Sequence, residues 1–265
     1  MRLTLLDLRR AATERKIAML TCYDASFAAV LDRAGIDTLL IGDSLGMVVQ
    51  GHDSTLPVTV EDVAYHTRAV ARGSQRAFIV ADMPFGSYQV GPQQAFENAV
   101  RLLQAGAQMV KLEGGDEMAP TIAFMVERGI PVCAHVGLTP QHVNRFGGYR
   151  IQGRGQASAR IRAAARSVVQ AGAEMLVIEA VPETLARAIA AESKALTIGI
   201  GASVACSGQV LVLHDMLGVA TDKRPRFVKN FLAEAGSVEA AARAYLEQVQ
   251  SGAFPGAEHV YPDSN

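Results

Sequence analysis

The sequence predicts a single (β/α)8 barrel, a TIM barrel, spanning residues 1–265. Three observations carry that expectation. Eight short, nearly continuous apolar runs alternate with amphipathic stretches of about ten to twenty residues. A local phrase recurs, in which a glycine closes a helical stretch, an apolar run follows and a polar residue ends it: AGIDTLLIGD, AGAQMVKLE, RGIPVCAH and AGAEMLVIE. No linker divides the 265 residues, a length at which such barrels commonly form one domain.

Taken in order, the strands are expected at 17–21 (IAMLT), 38–41 (TLLI), 77–81 (AFIVA), 108–112 (QMVKL), 131–135 (PVCAH), 174–178 (EMLVI), 196–200 (LTIGI) and 209–213 (QVLVL). Apolar runs this continuous suit strands covered on both faces, as in parallel sheets. Helical patterns fill the gaps at 62–73, 92–106, 157–172 and 182–194, several opening on Pro or a cap residue and ending at Gly. A doubly wound open sheet is the alternative; eight strands with eight intervening or following helices favour closure. The aperiodic stretches 42–60, 82–92 and 136–156 each follow a strand, so they form the C-terminal face, where barrels build their sites. The segment after Phe254 reads as a tail.

Composition narrows the function. Hydrophobic residues make up 49% and charged residues 19%, enough apolar material for a large core. A net charge of −1 argues against a nucleic-acid partner, which draws a basic excess to one face. Cys22, Cys133 and Cys206 are few, odd in number and widely spaced, as in reduced cytoplasmic proteins. Residues 1–16 lack the apolar core of a secretory leader. The longest uncharged stretch, 195–213, is broken by Gly199, Gly201, Ser203, Ser207 and Gly208, so it reads as two strands and a loop rather than a membrane span.

Four carboxylates stand out: Asp43, Asp82, Glu113 and Glu179 sit just past apolar runs, at the second, third, fourth and sixth strands. Burying a lone charge is costly. One such acid would serve as a helix cap or half of an ion pair; four at the same end of a barrel converge on one place. Acids brought together repel and call for a cation, and oxygen ligands without a His pair or Cys cluster suit a hard ion, Mg2+ above all. Lys111 is one of only five lysines and lies inside a strand, VKLE, so it points the same way as Glu113. It either grips a substrate carboxylate or neutralises Glu113. His135 ends the fifth strand, as a donor to a ligand oxygen or as a satisfied structural histidine. The other histidines show no metal-ligand spacing.

One motif misleads. Gly42-Asp43-Ser44-Leu45-Gly46 matches the G-x-S-x-G nucleophile elbow of hydrolases and follows a strand. It also spells the GDSL signature of an esterase class that carries a late Asp-x-x-His, which this sequence lacks. Gly199-Ile200-Gly201 could let backbone N–H groups approach an anion. Phe146-Gly147-Gly148-Tyr149-Arg150 has the composition of a lid or of a plain turn.

Together the segments TCYDASFA, IGDSLGMVVQGHDSTLPVT, ADMPFGSY, QAFENAVRL, VKLEGG, VCAHVGLTPQ, FGGYRIQGR, VIEAVP, GIGA, FVKNF and FPGAEH resemble the ketopantoate hydroxymethyltransferase (3-methyl-2-oxobutanoate hydroxymethyltransferase) family over nearly the whole chain. The resemblance implies a (β/α)8 barrel in which Asp43, Asp82 and Glu113 hold magnesium. Asp43, Ser44, Asp82, Lys111 and His135 would meet the 2-oxo acid, and Glu179 would accept its C3 proton. It further implies 5,10-methylenetetrahydrofolate as co-substrate, a metal-stabilised enolate, 2-dehydropantoate as product on the route to pantothenate and coenzyme A, and a large homo-oligomer, commonly a decamer. The sequence departs from the family near its seventh and eighth strands: a glycine has become Ser203 and an acid Ser207. If that glycine stood at positive φ, Ser203 would strain the turn.

Overall fold

The computed structural model describes residues 1–219 and 224–263. Eight parallel strands close into a barrel in chain order: β1 (Ile17–Thr21), β2 (Thr38–Ile41), β3 (Phe78–Asp82), β4 (Met109–Glu113), β5 (Val132–Gly137), β6 (Met175–Glu179), β7 (Leu196–Ile200) and β8 (Gly208–Leu211). Closure runs from Ile17↔Gly208 to Leu20↔Leu211. The strands are buried almost throughout, as their apolar runs require.

Three acids belong to the ladder instead of lying just past it. Asp82 pairs with Lys111, Glu113 with His135 and Glu179 with Gly137. The sequence signal stops where apolar side chains stop, but backbone pairing continues for as long as the neighbouring strand does. Asp43 alone lies beyond its strand, two residues after Ile41. β8 ends early, at Leu211, because Leu213 N–H turns aside to the Thr21 hydroxyl (2.8 Å) and starts a one-turn helix.

Helices clad the barrel. α1 (Leu5–Ala12) precedes β1, opens on a Thr4–Asp7 capping box and buries Leu8. α2 (Ala25–Ala34) ends at Gly35 in the left-handed region (φ 94°). α3 (Val60–Gly73) starts ahead of the expected 62 because Thr59 and Asp62 form a second capping box. α4 (Pro92–Gln104), α5 (Ala119–Val126), α6 (Ala157–Gln170) and α7 (Glu183–Glu192) follow β3 to β6. α8 (Val238–Ser251) completes the ring and sets the Tyr245 hydroxyl 3.0 Å from Met19 O and 2.9 Å from Gln209 O.

The eight-helix expectation fails between β7 and β8, where residues 201–207 cross in turns alone. Here lie both departures. Among the described residues the one non-glycine at positive φ is Ala180 (45°), so Ser203 carries no such strain. Its hydroxyl donates to Glu183 Oε1 (2.7 Å) and accepts from Ala205 N–H (3.0 Å). Ser207 immediately precedes β8, at the opposite end from the strand-end acids, and its carbonyl accepts from Ile17 N–H (2.9 Å). Its hydroxyl meets the Thr197 backbone N–H and hydroxyl, both at 3.3 Å.

At that N-terminal end Asp37, the residue before β2, is fully buried. Both of its oxygens are taken: Arg15 binds them with two guanidinium nitrogens (2.7 and 2.8 Å), Arg76 approaches at 3.2 Å and Ala18 N–H donates at 3.1 Å. The expected tail is docked. Phe254 is buried, Tyr261 pairs with Pro182 in a parallel bridge, and Tyr261 O accepts from Glu183 N–H (2.9 Å). Among the described residues no helix is long and apolar enough to cross a membrane.

Candidate active site

The strand ends bring the four acids to one mouth. Asp43, Asp82 and Glu113 are buried, as are Lys111 and His135, whereas the Glu179 side chain keeps 15% of its surface exposed. Asp43 N–H donates to Asp82 Oδ2 (2.9 Å), and Lys111 Nζ donates to Asp82 Oδ1 (2.6 Å). Alternation along β4 aims Lys111 at the side Glu113 shares, yet its close partner is Asp82, opposite it across the β3–β4 ladder. His135 stands between two acids, Nδ1 3.4 Å from Glu113 Oε1 and Nε2 3.2 Å from Glu179 Oε2. Neither approach has hydrogen-bond geometry, so Glu113 Oε1 and both ring nitrogens are buried with open bonding capacity. Unpaired polar atoms are the exception inside proteins, and three of those among the described residues meet here.

The electrostatics follow from crowding. Burial, then Asp82 and Glu113, push the Asp43 carboxyl up to about 8. Burial acts the same way on Glu113, but His135, Lys111 and the Gln141 N–H outweigh it and hold that carboxyl below its ordinary value. Burial and Lys111 work against a charged His135, yet Glu113 and Glu179 raise it to about 9, which makes the ring cationic at neutral pH. Lys111 is likewise raised against its burial, by Asp82, Glu113 and Asp43. Asp43, raised this far, is mostly protonated at neutral pH; a cation that draws its proton off would meet four carboxylates, one ammonium and one imidazolium, an excess of two negative charges.

That excess fits a divalent cation. Among the described residues no group of three or more His, Cys, Asp or Glu converges at metal-holding distance. Magnesium does not need one, because it uses one or two carboxylates and fills its other positions with water or substrate. The adjacent Asp43 and Asp82, backed by the open Glu113 Oε1, have the right chemistry.

Gln141 and Tyr88, which shape this mouth, carried no sequence signal of their own, whereas Tyr149 lies in the segment whose composition suits a lid or a plain turn. Gln141, in the turn after β5, donates from its backbone to Glu113 Oε2 (3.0 Å) and from its side chain to Asp43 Oδ2 (2.9 Å). Tyr88, in the loop after β3, reaches Gln141 Oε1 (2.6 Å). Tyr149, in the glycine-rich loop after β5, spans the mouth with its hydroxyl 3.4 Å from Met47 Sδ, and Asp43, Glu179 and Glu113 add to burial in raising it. Gly201, by contrast, lies just past β7 under Phe227 and Tyr261, where an added Cβ would stand 2.6 Å from Phe227, so aromatic packing accounts for this glycine.

Ser44 lacks the partner a nucleophile needs. Its hydroxyl bonds the Tyr23 hydroxyl (2.9 Å) instead of a histidine, and burial raises Tyr23, which makes it no base at neutral pH. Glu179 is held by unusual backbone. Ala180 follows at φ 45°, and Gly137 lies so close across the ladder that a Cβ there would meet Glu179 O at 2.2 Å. A cavity of about 510 Å³ opens against His135 and is walled by Thr139, His142, Arg145, Phe146 and Arg160.

Comparison with known proteins agrees with this picture. The family model for ketopantoate hydroxymethyltransferase matches residues 2–257. The chain is 60% identical over 262 residues to 3-methyl-2-oxobutanoate hydroxymethyltransferase of Chromobacterium violaceum, covering 98% of this chain and 100% of that one. It is 60% identical to the protein of the same name from an Azoarcus species, covering 97% and 96%. Among solved structures, a putative phosphonomutase from Burkholderia cenocepacia superposes with a TM-score of 0.62 at 19% identity, covering 80% of this chain and 92% of that one. A 2,3-dimethylmalate lyase of the PEP mutase/isocitrate lyase superfamily gives 0.61 at 16% identity, covering 97% and 88%. At those identities the two structures share the fold alone.

Proposed function

This chain belongs to the ketopantoate hydroxymethyltransferase family, and from that premise we propose that it transfers a hydroxymethyl group from 5,10-methylenetetrahydrofolate to 3-methyl-2-oxobutanoate. The products are 2-dehydropantoate and tetrahydrofolate, on the route to pantothenate and coenzyme A. The observation that carries the reading is the meeting of Asp43, Asp82, Glu113 and Glu179 around Lys111 and His135 at one barrel mouth.

Asp43 and Asp82, with Glu113 behind them, would hold Mg2+. When bound, that ion supplies Lewis acidity toward the keto oxygen and makes the neighbouring C3–H more acidic. The chain's own groups do the rest. Lys111 spends one of its three N–H donors on Asp82 and has two left for the substrate carboxylate. The Asp43–Ser44 turn and Asp82 border the same ligand. Glu179, the most accessible of the four acids, takes the C3 proton as general base. The cationic His135 ring between Glu113 and Glu179 offsets their mutual repulsion and offers a donor to a ligand oxygen. Lys111 and His135 then balance the charge of the enolate as it develops. A bond forms between its C3 and the methylene carbon of the folate, and that carbon's two bonds to folate nitrogens break. Water supplies the hydroxyl oxygen, and one water proton and the proton taken by Glu179 end on the two freed nitrogens. The cavity against His135 is of ordinary ligand size and, through that histidine, adjoins the acids without being lined by them, which makes it the room we assign to the donor. Self-association into a large homo-oligomer, a decamer, belongs to the same reading and is checked by light scattering.

The test has two arms. With Mg2+ and 3-methyl-2-oxobutanoate in D2O, the C3 proton should exchange without folate; no exchange by metal-loaded enzyme refutes the enolate. Adding 5,10-methylenetetrahydrofolate should then yield 2-dehydropantoate. Exchange without that product would remove folate as the donor.

A further inference from the structure

The loops after β2, β3 and β5 are joined by one buried amide. Gln141 sits in the 3-10 turn Pro140–His142. Its Nε2 lies 2.9 Å from Asp43 Oδ2 and 3.0 Å from Met83 O, while its Oε1 lies 2.6 Å from the Tyr88 hydroxyl. The two atoms of the amide are chemically distinct, and the surroundings decide which goes where. Asp43, when ionised, and the Met83 carbonyl can only accept, so the NH2 group must face them. The Tyr88 hydroxyl accepts from Glu113 N–H (3.1 Å); its one proton has Glu113 O (3.1 Å) and Gln141 Oε1 (2.6 Å) within reach, and the shorter approach takes it. The resulting chain runs in one direction: Glu113 N–H to Tyr88, Tyr88 to Gln141, Gln141 to Asp43.

The chain divides the acids atom by atom. It occupies Asp43 Oδ2, and the Gln141 backbone N–H occupies Glu113 Oε2 (3.0 Å), while Glu113 Oε1 stays without a hydrogen bond. We propose that Gln141, oriented by Tyr88, is a positioning residue that fixes which oxygens of Asp43 and Glu113 face the cation. Its polar partners are Asp43, Met83, Tyr88, Gln89 and Glu113, so it acts through them. The inference rests on the magnesium reading above, and groups that orient metal-binding carboxylates in this way typically control metal affinity.

The test titrates Mn2+, as a visible stand-in for magnesium, into the metal-stripped full-length protein and follows it by electron paramagnetic resonance. Gln141→Met keeps the side-chain length and the backbone bond to Glu113 but lacks the amide. It should lose about 10- to 100-fold in Mn2+ affinity. Tyr88→Phe removes the shortest bond to Gln141 Oε1, leaves the amide anchored mainly from its NH2 side and should weaken Mn2+ in the same direction. Adding it to Gln141→Met should cost nothing further, because both act through one chain. Melting of the metal-free variants separates the roles: a lowered Tm at unchanged Mn2+ affinity means a structural part only and overturns the proposal. Should Gln141→Met not fold, Tyr88→Phe decides alone, and unchanged affinity there overturns it equally. Wild-type protein that binds no Mn2+ overturns both this proposal and the magnesium reading; wild-type binding with unaffected variants overturns this proposal alone.

Discussion

Strand β2 has a buried aspartate just outside each of its ends, and the two are held in opposite ways. Asp37, at the N-terminal mouth, has Arg15, Arg76 and the Ala18 N–H on its oxygens. Asp43, at the C-terminal mouth, has one amide from Gln141 and faces Asp82 and Glu113, which together with burial raise it to about 8. Both positions remove a carboxylate from water. At the lower mouth the burial is offset within the fold, and the residue serves stability. At the upper mouth it is left for something outside the chain to offset, as expected where structure is shaped for binding instead of rigidity.

Under the proposed function this contrast places the chemistry at the upper mouth. Its largest consequence concerns Glu179→Gln, which should slow C3 proton exchange by roughly 10²- to 10⁴-fold, the usual worth of a general base, with little change in Tm. Isotope exchange followed by NMR measures it, and undiminished exchange would put the base elsewhere. Next in size is Asp37→Ala at the lower mouth. Breaking a buried pair costs about 3–5 kcal/mol, and the low end applies because Arg15 and Arg76 are 31% and 38% exposed. Denaturant unfolding should show that loss while kcat of the folded enzyme stays unchanged; a fall in kcat would breach the division between the mouths.

Asp43→Asn sharpens the contrast through pH. An acid whose folded pKa is raised binds a proton in the native state that the unfolded chain has already released. Stability of the metal-free protein therefore falls as pH rises from about 4 to about 8. Asp43→Asn should flatten that part of the pH–Tm curve, and Mg2+ should oppose the fall in the wild type alone. The smallest effect belongs to Ser207→Ala at the lower mouth. It removes the hydroxyl's bonds to Thr197 for about 0.5–1.5 kcal/mol, with catalysis unaltered in a steady-state assay.

The strands and the acids were legible because a parallel barrel buries both faces of its strands, so an apolar run ending in a carboxylate is a loud signal. Ladder ends were read one residue short at Asp82, Glu113 and Glu179, since backbone pairing is indifferent to side-chain polarity. The partner of Lys111 was out of reach: alternation within β4 gives a direction, but only the β3–β4 register brings Asp82 to it. Asp37 carries no signal in the sequence, because its arginines arrive from positions 15 and 76. Gln141 and Tyr88 were hidden for the same reason, as each acts through residues that are neighbours in space and strangers in sequence. The missing helix between β7 and β8 left no trace either, as a short Ser/Gly segment reads alike whether or not it replaces one. The separate roles of the four acids came from family resemblance, whereas their clustering came from the strands.

The Tyr88–Gln141–Asp43 chain also bears on redesign. Barrel enzymes change specificity readily because the loops after their strands can be exchanged one at a time. Here three of those loops share a single amide, so a transplanted β5 loop without a glutamine at its turn would leave the β2 loop's aspartate misaimed, however well the graft folded. Anyone altering what this mouth accepts would have to move the loops after β2, β3 and β5 as one cassette.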